Sequence, residues 1–549
     1  MNIRLGLYYV VRFYRRNINL FSFLSVLLLI LVLDFLFKII VPDSILATLK
    51  GIYQKEGGGI DYVPEVWLGL FALVLGTLII VISIASQKTP KLIDLYIGDQ
   101  VSLFYIWFIA LGLVHNMYLQ LYKNELDSVI FNTYFLLPLA MVFSTPYVLS
   151  MLHYTKTSNV IRKIFKTNKQ LLSRLSNAGY YNAIAHEELQ GGLFNTLNQL
   201  DELLQFVEFK EPKADIIQKI STSVQSFIAI KGKINPKLFD CGKLIQSDVS
   251  FKTMTGYMEE LSQNRTFYEL KGFRLLSNAY LKLIESGEFD LAALCAHEFK
   301  KCGEAAIKAE NEKSINLVFI QFNTLLRFGI KQGTRENEAR NLFNTIFHYG
   351  ELIQILIRYN SPVFGKESQE ALIKKSCQYL HLYTLEMYRL GQEKSSFLFL
   401  VDVFTWELKT ILKLLFQLKF NDDLQKEMLL LFLKFDDRPD LIVQENIYTY
   451  NYGVRTLQII LALFYIHFEK TEFAILIIDD ILEDHQSTGK ASLNQAVETT
   501  CERISNTGPG FWEETDRGNA NFYHSDYKDA LPKFKEIFQK EMDKFFNNS

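Results

Sequence analysis

Cysteine is scarce in this chain and never paired in sequence. Cys241, Cys295, Cys302, Cys377 and Cys501 are odd in number and show no C-x-x-C spacing. That excludes a disulfide framework and a zinc ribbon, and leaves the five as small buried hydrophobes. A basic surplus is lacking too. With 58 Lys and Arg against 60 Asp and Glu, nothing favours binding to nucleic acid through phosphate neutralisation. Also missing are G-x-x-x-x-G-K-[ST], G-x-G-x-x-G after a strand, H-E-x-x-H and G-x-S-x-G. His186-Glu187-Glu188 and His297-Glu298 lack the second histidine of a zinc-binding helix. Asp479, Asp480, Glu483, Asp484 and His485 crowd one helix end, which reads as a solvated terminus before it reads as a divalent-cation site. No catalytic residue, cofactor or metal ligand is expected, and the chain is not expected to be an enzyme.

What is abundant is long apolar sequence. Four runs, 18–41, 64–85, 101–122 and 129–152, match the roughly 20 helical residues that a hydrocarbon core of about 30 Å requires. The first is too long for a cleaved signal peptide and has no small-residue cleavage site. Aromatic content of 14% suits rings that fill helical cores and sit at membrane interfaces. Basic flanks set the orientation. Arg4, Arg12, Arg15, Arg16, Lys88, Lys91, Lys156, Arg162, Lys163, Lys166 and Lys169 fall on one side, against Lys50, Lys55 and Lys123 on the other. Both termini are therefore expected in the cytoplasm, with the Gly57-Gly58-Gly59 loop outside. Residues 1–17, with Leu5, Tyr8, Tyr9, Val10 and Phe13 among four arginines, read as an interfacial amphipathic segment or a cationic cap.

Ionisable groups are costly in lipid, so those inside the spans are functional candidates. Asp34 and Lys38 lie four apart on one face of the first span, an ion pair able to close on itself. His115, Asn116, Asn132 and Thr133 reach a similar depth, in the outer third of the bilayer. A polar constriction in a pore and a hydrogen-bonded structural cluster with Lys38 snorkelling outward both fit this set. Gly69, Gly76 and Ser83 recur every seven residues along the second span, a small-residue stripe suited to close helix approach, between subunits or within the four-helix unit. Pro138 and Pro146 each remove a helix hydrogen bond from the fourth span and make it a candidate gate.

From Thr155 the pattern is amphipathic helix, with the fourth span running on as a stalk through Val160, Ile161, Ile164, Leu171, Leu172 and Leu175. Leu189 to Val207 repeats at spacings of four and three. Residues 226–233 are short and apolar enough for a strand. Phe273 to Ala293, and Tyr450 to Leu482, have the helix-turn-helix rhythm of a tetratricopeptide-type repeat, but no fixed period survives between them. Leu457 to Ile466 is too short to span. Phe397 to Phe416 carries Asp402, Glu407, Lys409 and Lys413, so both are core helices. The expected fold is an all-α integral membrane protein with a large cytoplasmic helical body, an irregular solenoid or bundle. Its divisions are 1–17, 18–154, a connector at 155–264, a solenoid-like domain at 265–500, and a loop with a terminal helix at 501–549.

Ser86-Gln87-Lys88-Thr89-Pro90-Lys91-Leu92-Ile93, with Tyr96-Ile97 and Asp99, resembles the S-Q-x-S-P-R-L-L-x-x-F-L-x-D motif of a widespread bacterial family of four-span predicted membrane proteins, a domain of unknown function. His153-Tyr154 sits where that family has a histidine pair. Gly179-Tyr180-Tyr181 with Ala183-Ile184 is similar to its G-Y-[VL]-Q-A-I segment, and Arg265-Thr266 with Phe273-Arg274-Leu275-Leu276 and Ala279 to its R-T and F-G-L-R-x-L blocks. The family's A-L-S-P-G-I-N-D-P block survives only faintly, as Ser286-Gly287-Glu288-Phe289-Asp290. The likeness covers roughly residues 65–295. It implies four spans, inward termini and a bacterial inner membrane, and no activity. The function expected on these grounds is a homo-oligomeric pore or channel gated by its cytoplasmic helices. The alternative is a membrane-tethered scaffold, receptor or defence effector that recruits a protein partner, and a lipid-modifying enzyme using Asp34 and His115 stands third. Membrane lipid and further copies of the chain are the expected partners; nucleic acid is not.

Overall fold

A computed structural model describes residues 13, 17–55, 62–88, 100–122, 126–154, 156–177, 183–252, 255–336, 341–359, 365–391, 393–436, 452–484, 489–508, 514–515, 518–519 and 522–548. It divides into two compact units, 1–167 with 198–212, and 168–197 with 213–549.

In the first unit, α1 (Ile18–Ile40), α2 (Asp43–Lys55), α3 (Val63–Lys88), α4 (Gln100–Tyr122), α5 (Leu126–Phe131) and α6 (Leu137–Tyr154) follow one another. Four segments, Ile18–Ile40, Val63–Ser83, Val101–Leu121 and Leu126–Met151, are long and apolar enough to cross a membrane. α4 packs against α1, α3 and α6, and α3 packs against α6. Val26, Trp67, Val74, Ile109, Ile130 and Ala140 form the seam between them. The outer faces are bare. Only 17% to 44% of each apolar segment is buried, and Leu28, Phe35, Ile79, Ile80 and Val142 are all exposed. Helices apolar on every side are stable in water only when covered, so their solvent is lipid or another protein.

The first loop holds a helix that the apolar runs did not reveal. α2 carries Asp43 in its first turn, favourably placed at the positive end of the helix, and the carbonyl of Pro42 accepts from the Ile45 and Leu46 amides. Leu46 is buried against the unit, and Ile45 and Ile52 are left exposed. The fourth apolar segment also departs from regular α-helix. Asn132–Leu136 is a π turn, closed by the Leu137 amide on the Asn132 carbonyl. Pro138 has no N–H for the Tyr134 carbonyl four residues back, and the chain widens just there. Pro146 sits inside α6. After α6 comes α7 (Thr157–Asn177), whose first turn bonds to the Lys156 carbonyl; Thr155, between them, lies outside the described residues. Of the expected interfacial segment only Phe13 and Asn17 fall among the described residues.

After α8 (Ala183–Phe206) comes α9 (Lys210–Ile230), and it overturns the strand expected at 226–233. Ile216, Ile217, Ile220, Val224, Phe227 and Ile228 are buried at helical spacing, so the apolar run is the last turn of an amphipathic helix, followed by a 3-10 turn at Lys231–Lys233. The strand pairing among the described residues is a two-residue antiparallel contact, Glu514–Thr515 with Gly518–Asn519.

Beyond α10 (Lys243–Gln246) and α11 (Met258–Asn264) the chain is a succession of helices: α12 (Phe267–Glu285), α13 (Phe289–Lys308), α14 (Glu312–Glu336), α15 (Asn341–Arg358), α16 (Lys366–Gly391), α17 (Leu398–Gln417), α18 (Asp422–Leu433), α19 (Tyr452–His467), α20 (Thr471–Asp484), α21 (Lys490–Asn506) and α22 (Leu531–Asn548). Alternate helices pack on one another. α12, α14, α16, α18, α20 and α22 form one layer, and α13, α15, α17, α19 and α21 the other. This is the two-layer stacking of an α-solenoid. A shared turn stands in for the missing sequence period. Arg265, Gly287, Glu310, Lys419 and Glu469 all take left-handed φ, between 53° and 75°. In each case the next amide bonds back to the helix: Thr266 to Leu261, Glu288 to Leu283, Asn311 to Ala306, Phe420 to Leu415 and Lys470 to Tyr465. That is the Schellman closure, built four times here without glycine. Cys295, Cys302, Cys377 and Cys501 are buried as expected, whereas Cys241 is half-buried.

Candidate functional site

The polar groups of the apolar segments meet in two linked knots. In the first, Lys38 Nζ stands 3.6 Å from Asp34 Oδ2, which also accepts from Ser128 Oγ at 2.8 Å. The second centres on Asn132, fully buried at the start of the π turn. Its Oδ1 accepts from Trp67 Nε1 at 2.9 Å, and its Nδ2 faces the Gly112 carbonyl at 3.3 Å and His115 Nδ1 at 3.0 Å. An amide donor aimed at Nδ1 makes that nitrogen the acceptor and places the neutral imidazole proton on Nε2. Lys50 Nζ meets Asp127 Oδ1 at 2.5 Å, tying α2 to α5.

Asn116 does not join either knot. It is buried, and its Nδ2 has no hydrogen-bond partner. Trp67 and Gly112, which no motif singled out, make the second knot possible. A Cβ at Gly112 would lie 2.4 Å from the indole ring, so only glycine lets Trp67 lie against α4. The Gly69, Gly76 and Ser83 stripe plays no such part. Nothing lies within 4 Å of where a Cβ would stand at Gly69 or Gly76, and Ser83 is exposed. Ser86 and Gln87 lie in the last turn of α3, and Thr89, Pro90 and Lys91 of the family-like motif fall outside the described residues.

The second unit concentrates ionisable groups on α17. Burial pushes the Asp402 carboxyl up to about 6, and Tyr523 Oη donates to its Oδ2 at 2.8 Å. Burial raises Glu407 well above the ordinary carboxylate range, and the Glu351 charge adds to it. Gly350 opposite has no room for a side chain, since its Cβ would overlap the Glu407 carboxylate. Burial lowers Lys409 to about 7, with Lys413 pushing the same way and Asp526 opposing; its Nζ donates to the Phe522 carbonyl at 3.3 Å. The Lys413 ammonium lies 5.3 Å and 5.2 Å from the Phe464 and Tyr527 ring centres. Residues 522–527 are thus strapped over α17 by Asp402, Lys409 and Lys413, which meet the Tyr523 hydroxyl, the Phe522 carbonyl and the Tyr527 ring. Sequence reading noticed these charges only as a reason why the helix cannot span a membrane.

Within the acidic helix end, Asp480 is paired. Arg455 bridges Asp436 at 2.9 Å and Asp480 at 3.3 Å. Among the described residues no three His, Cys, Asp or Glu side chains converge as metal ligands; the Asp484 and His485 side chains lie outside that set. The interior of the second unit holds a further buried pair, Lys231 Nζ to Glu269 Oε1 at 2.6 Å, with Ser314 Oγ bonded to both. The structure defines an all-helical chain with four membrane-length helices and a two-layer helical body. No protein-family model and no curated protein matches it.

Proposed function

We propose that the chain is a membrane-tethered receptor or scaffold: four spans anchor it in a bacterial inner membrane with both termini inside, and the cytoplasmic solenoid recruits a protein partner. The observation that carries this reading is the stacking of α12 to α22 in two layers, since such arrays bind through their extended surfaces. The bare apolar faces of the four long helices and the basic excess on one flank support the tether and its orientation. Most of the polar groups inside the spans pair with one another: Asp34 Oδ2 is held by Lys38 and Ser128, and Asn132 by Trp67 and His115, while Asn116 Nδ2 is left without a partner. That accounts for them as packing and weakens the case for a relay or for catalysis by Asp34 and His115.

The full-length protein, crosslinked in cells and purified in lipid discs, tests this. A stoichiometric cytosolic partner, together with silent planar-bilayer recordings, is the expected result. Reproducible single-channel currents from the purified protein would overturn it in favour of a homo-oligomeric pore gated by the body. One observation favours that second reading, the open surroundings of Gly69 and Gly76, which leave a face on which another copy can pack.

A further inference from the structure

Between α14 and α16, neighbours in one solenoid layer, lies an open cleft of about 650 Å3. Arg327, Lys331 and Arg335 stand four residues apart along α14 and line one wall, so their attachment points rise by about 6 Å per step on one face of the helix. None of the three forms an ion pair with any described residue. The opposite wall brings Tyr379, Tyr383 and Arg389. Glu386 is the one carboxylate lining the cleft, and Arg389 already clasps it side-on, donating from Nε and Nη2. Four cations against one carboxylate leave an excess of three positive charges in a chain whose net charge is −2.

Uncompensated like charges on one helix face repel one another, and a chain under selection only for folding gains nothing by lining a cleft with them. An anion repairs the defect. Arginine forks match phosphate oxygens two at a time, and a cleft with low-dielectric walls strengthens the attraction. Apart from Thr334, the remaining lining is apolar and aromatic. Ile330 and Leu390 are buried, Leu382 is exposed, and Tyr383 is anchored by donating its hydroxyl proton to the Asn323 carbonyl at 3.1 Å. Aromatic side chains beside a cluster of arginines suit a ligand with a flat heterocycle at one end and phosphates at the other.

We infer that this cleft binds a nucleotide carrying two or more phosphates, with Arg327, Lys331 and Arg335 on the phosphates and the tyrosine wall against the base. Such a site would exist whether or not the solenoid recruits a protein, so it goes beyond the recruitment reading and is tested apart from it. The experiment is isothermal titration of the full-length protein in phosphatidylcholine discs with ATP and with GTP, and in parallel with inorganic triphosphate. Micromolar binding of at least one nucleotide, weakened at least tenfold by Arg327→Ala with Arg335→Ala and falling steeply with salt, is the expected result. Tyr379→Ala should weaken the nucleotide and leave triphosphate unchanged. Lys331→Gln, a single exposed change, serves if the double variant does not fold, with at least a threefold loss expected. Absence of heat from both nucleotides at millimolar concentration, affinity indifferent to these variants, or triphosphate bound as tightly as the nucleotide would each overturn the assignment.

Discussion

The Trp67 indole and the Asn132 amide, 65 residues apart, share a 2.9 Å hydrogen bond with both side chains completely buried. The bond ties α3 to the π turn of the fourth apolar segment, and the same amide reaches α4 through Gly112 and His115. Three of the four long segments are therefore registered through one side chain. Inside an apolar medium no water can replace such a partner.

Asn132→Leu strands the Trp67 N–H and removes the donor to His115. A loss of about 1–2 kcal/mol is expected, the upper range for interhelical bonds in membranes. Denaturant titration in mixed micelles measures it. The combination with Trp67→Phe should cost less than the two single changes together, and simple additivity would show that the bond couples nothing.

Burial of Lys409 makes the second unit's stability depend on pH. Its pKa lies near 7 in the folded chain against 10.5 ordinarily, so between those values the unfolded chain holds more protons and stability rises with pH. Below about 7 the charged form is buried at constant cost. Asp402 has the opposite sign: near 6 when folded against 3.8, it holds its proton longer in the folded state, so its contribution is lost as pH rises through 6. In melting of the full-length protein from pH 4 to 10, Asp402 should contribute a loss of stability up to about 6 and Lys409 a gain above about 7. Lys409→Met should flatten the alkaline limb and stabilise the protein by about 2–4 kcal/mol at pH 7. An unchanged alkaline limb in that variant would contradict the burial of the charge.

The Lys231–Glu269 pair, joined by Ser314, is almost fully enclosed. Lys231→Met leaves a buried carboxylate unpaired and should cost about 3–5 kcal/mol, while the double change Lys231→Met with Glu269→Leu should recover most of it. Chemical denaturation of the three proteins decides; equal losses in the single and double variants would mean that packing, not charge, holds this corner.

Glu310, Lys419 and Glu469 close their helices in the left-handed region without being glycine. Each substituted by glycine should gain up to about 1 kcal/mol, because the Cβ penalty there exceeds the entropy that glycine adds to the unfolded chain. Alanine at the same positions should give no gain. Thermal midpoints of the three glycine variants test the point, and unchanged or lower values would argue that side-chain contacts outweigh backbone strain.

Gly69→Leu with Gly76→Leu enters open space in the isolated chain. The pair should leave the stability of a monomer within about 0.5 kcal/mol of wild type. In an oligomer that uses this stripe it should dissociate the subunits, as read by mass photometry in detergent. A monomeric wild type would remove the oligomer and, with it, the pore.

Length and hydropathy alone determined the four membrane-length helices, because about 20 apolar residues in a row have few other stable fates, and periodicity of 3.6 determined that the body is helical. The same signal misled at 226–233, where a short apolar run cannot distinguish a strand from the last turn of a helix until the turns before it are counted. The i,i+4 spacing put Asp34 beside Lys38, but Ser128, Trp67 and Gly112 joined the polar knots through contacts 20 to 94 residues apart that no local pattern encodes. The π turn came from a proline meeting a packed amide. The solenoid's layers came from a turn geometry shared by Arg, Gly, Glu and Lys, residue types with nothing in common to a reader of sequence. Charge was legible as composition. Only tertiary packing decided which charges are buried on α17 and that a tyrosine-bearing wall stands opposite the i,i+4 cations of α14, since burial and convergence are properties of neighbours distant in the chain.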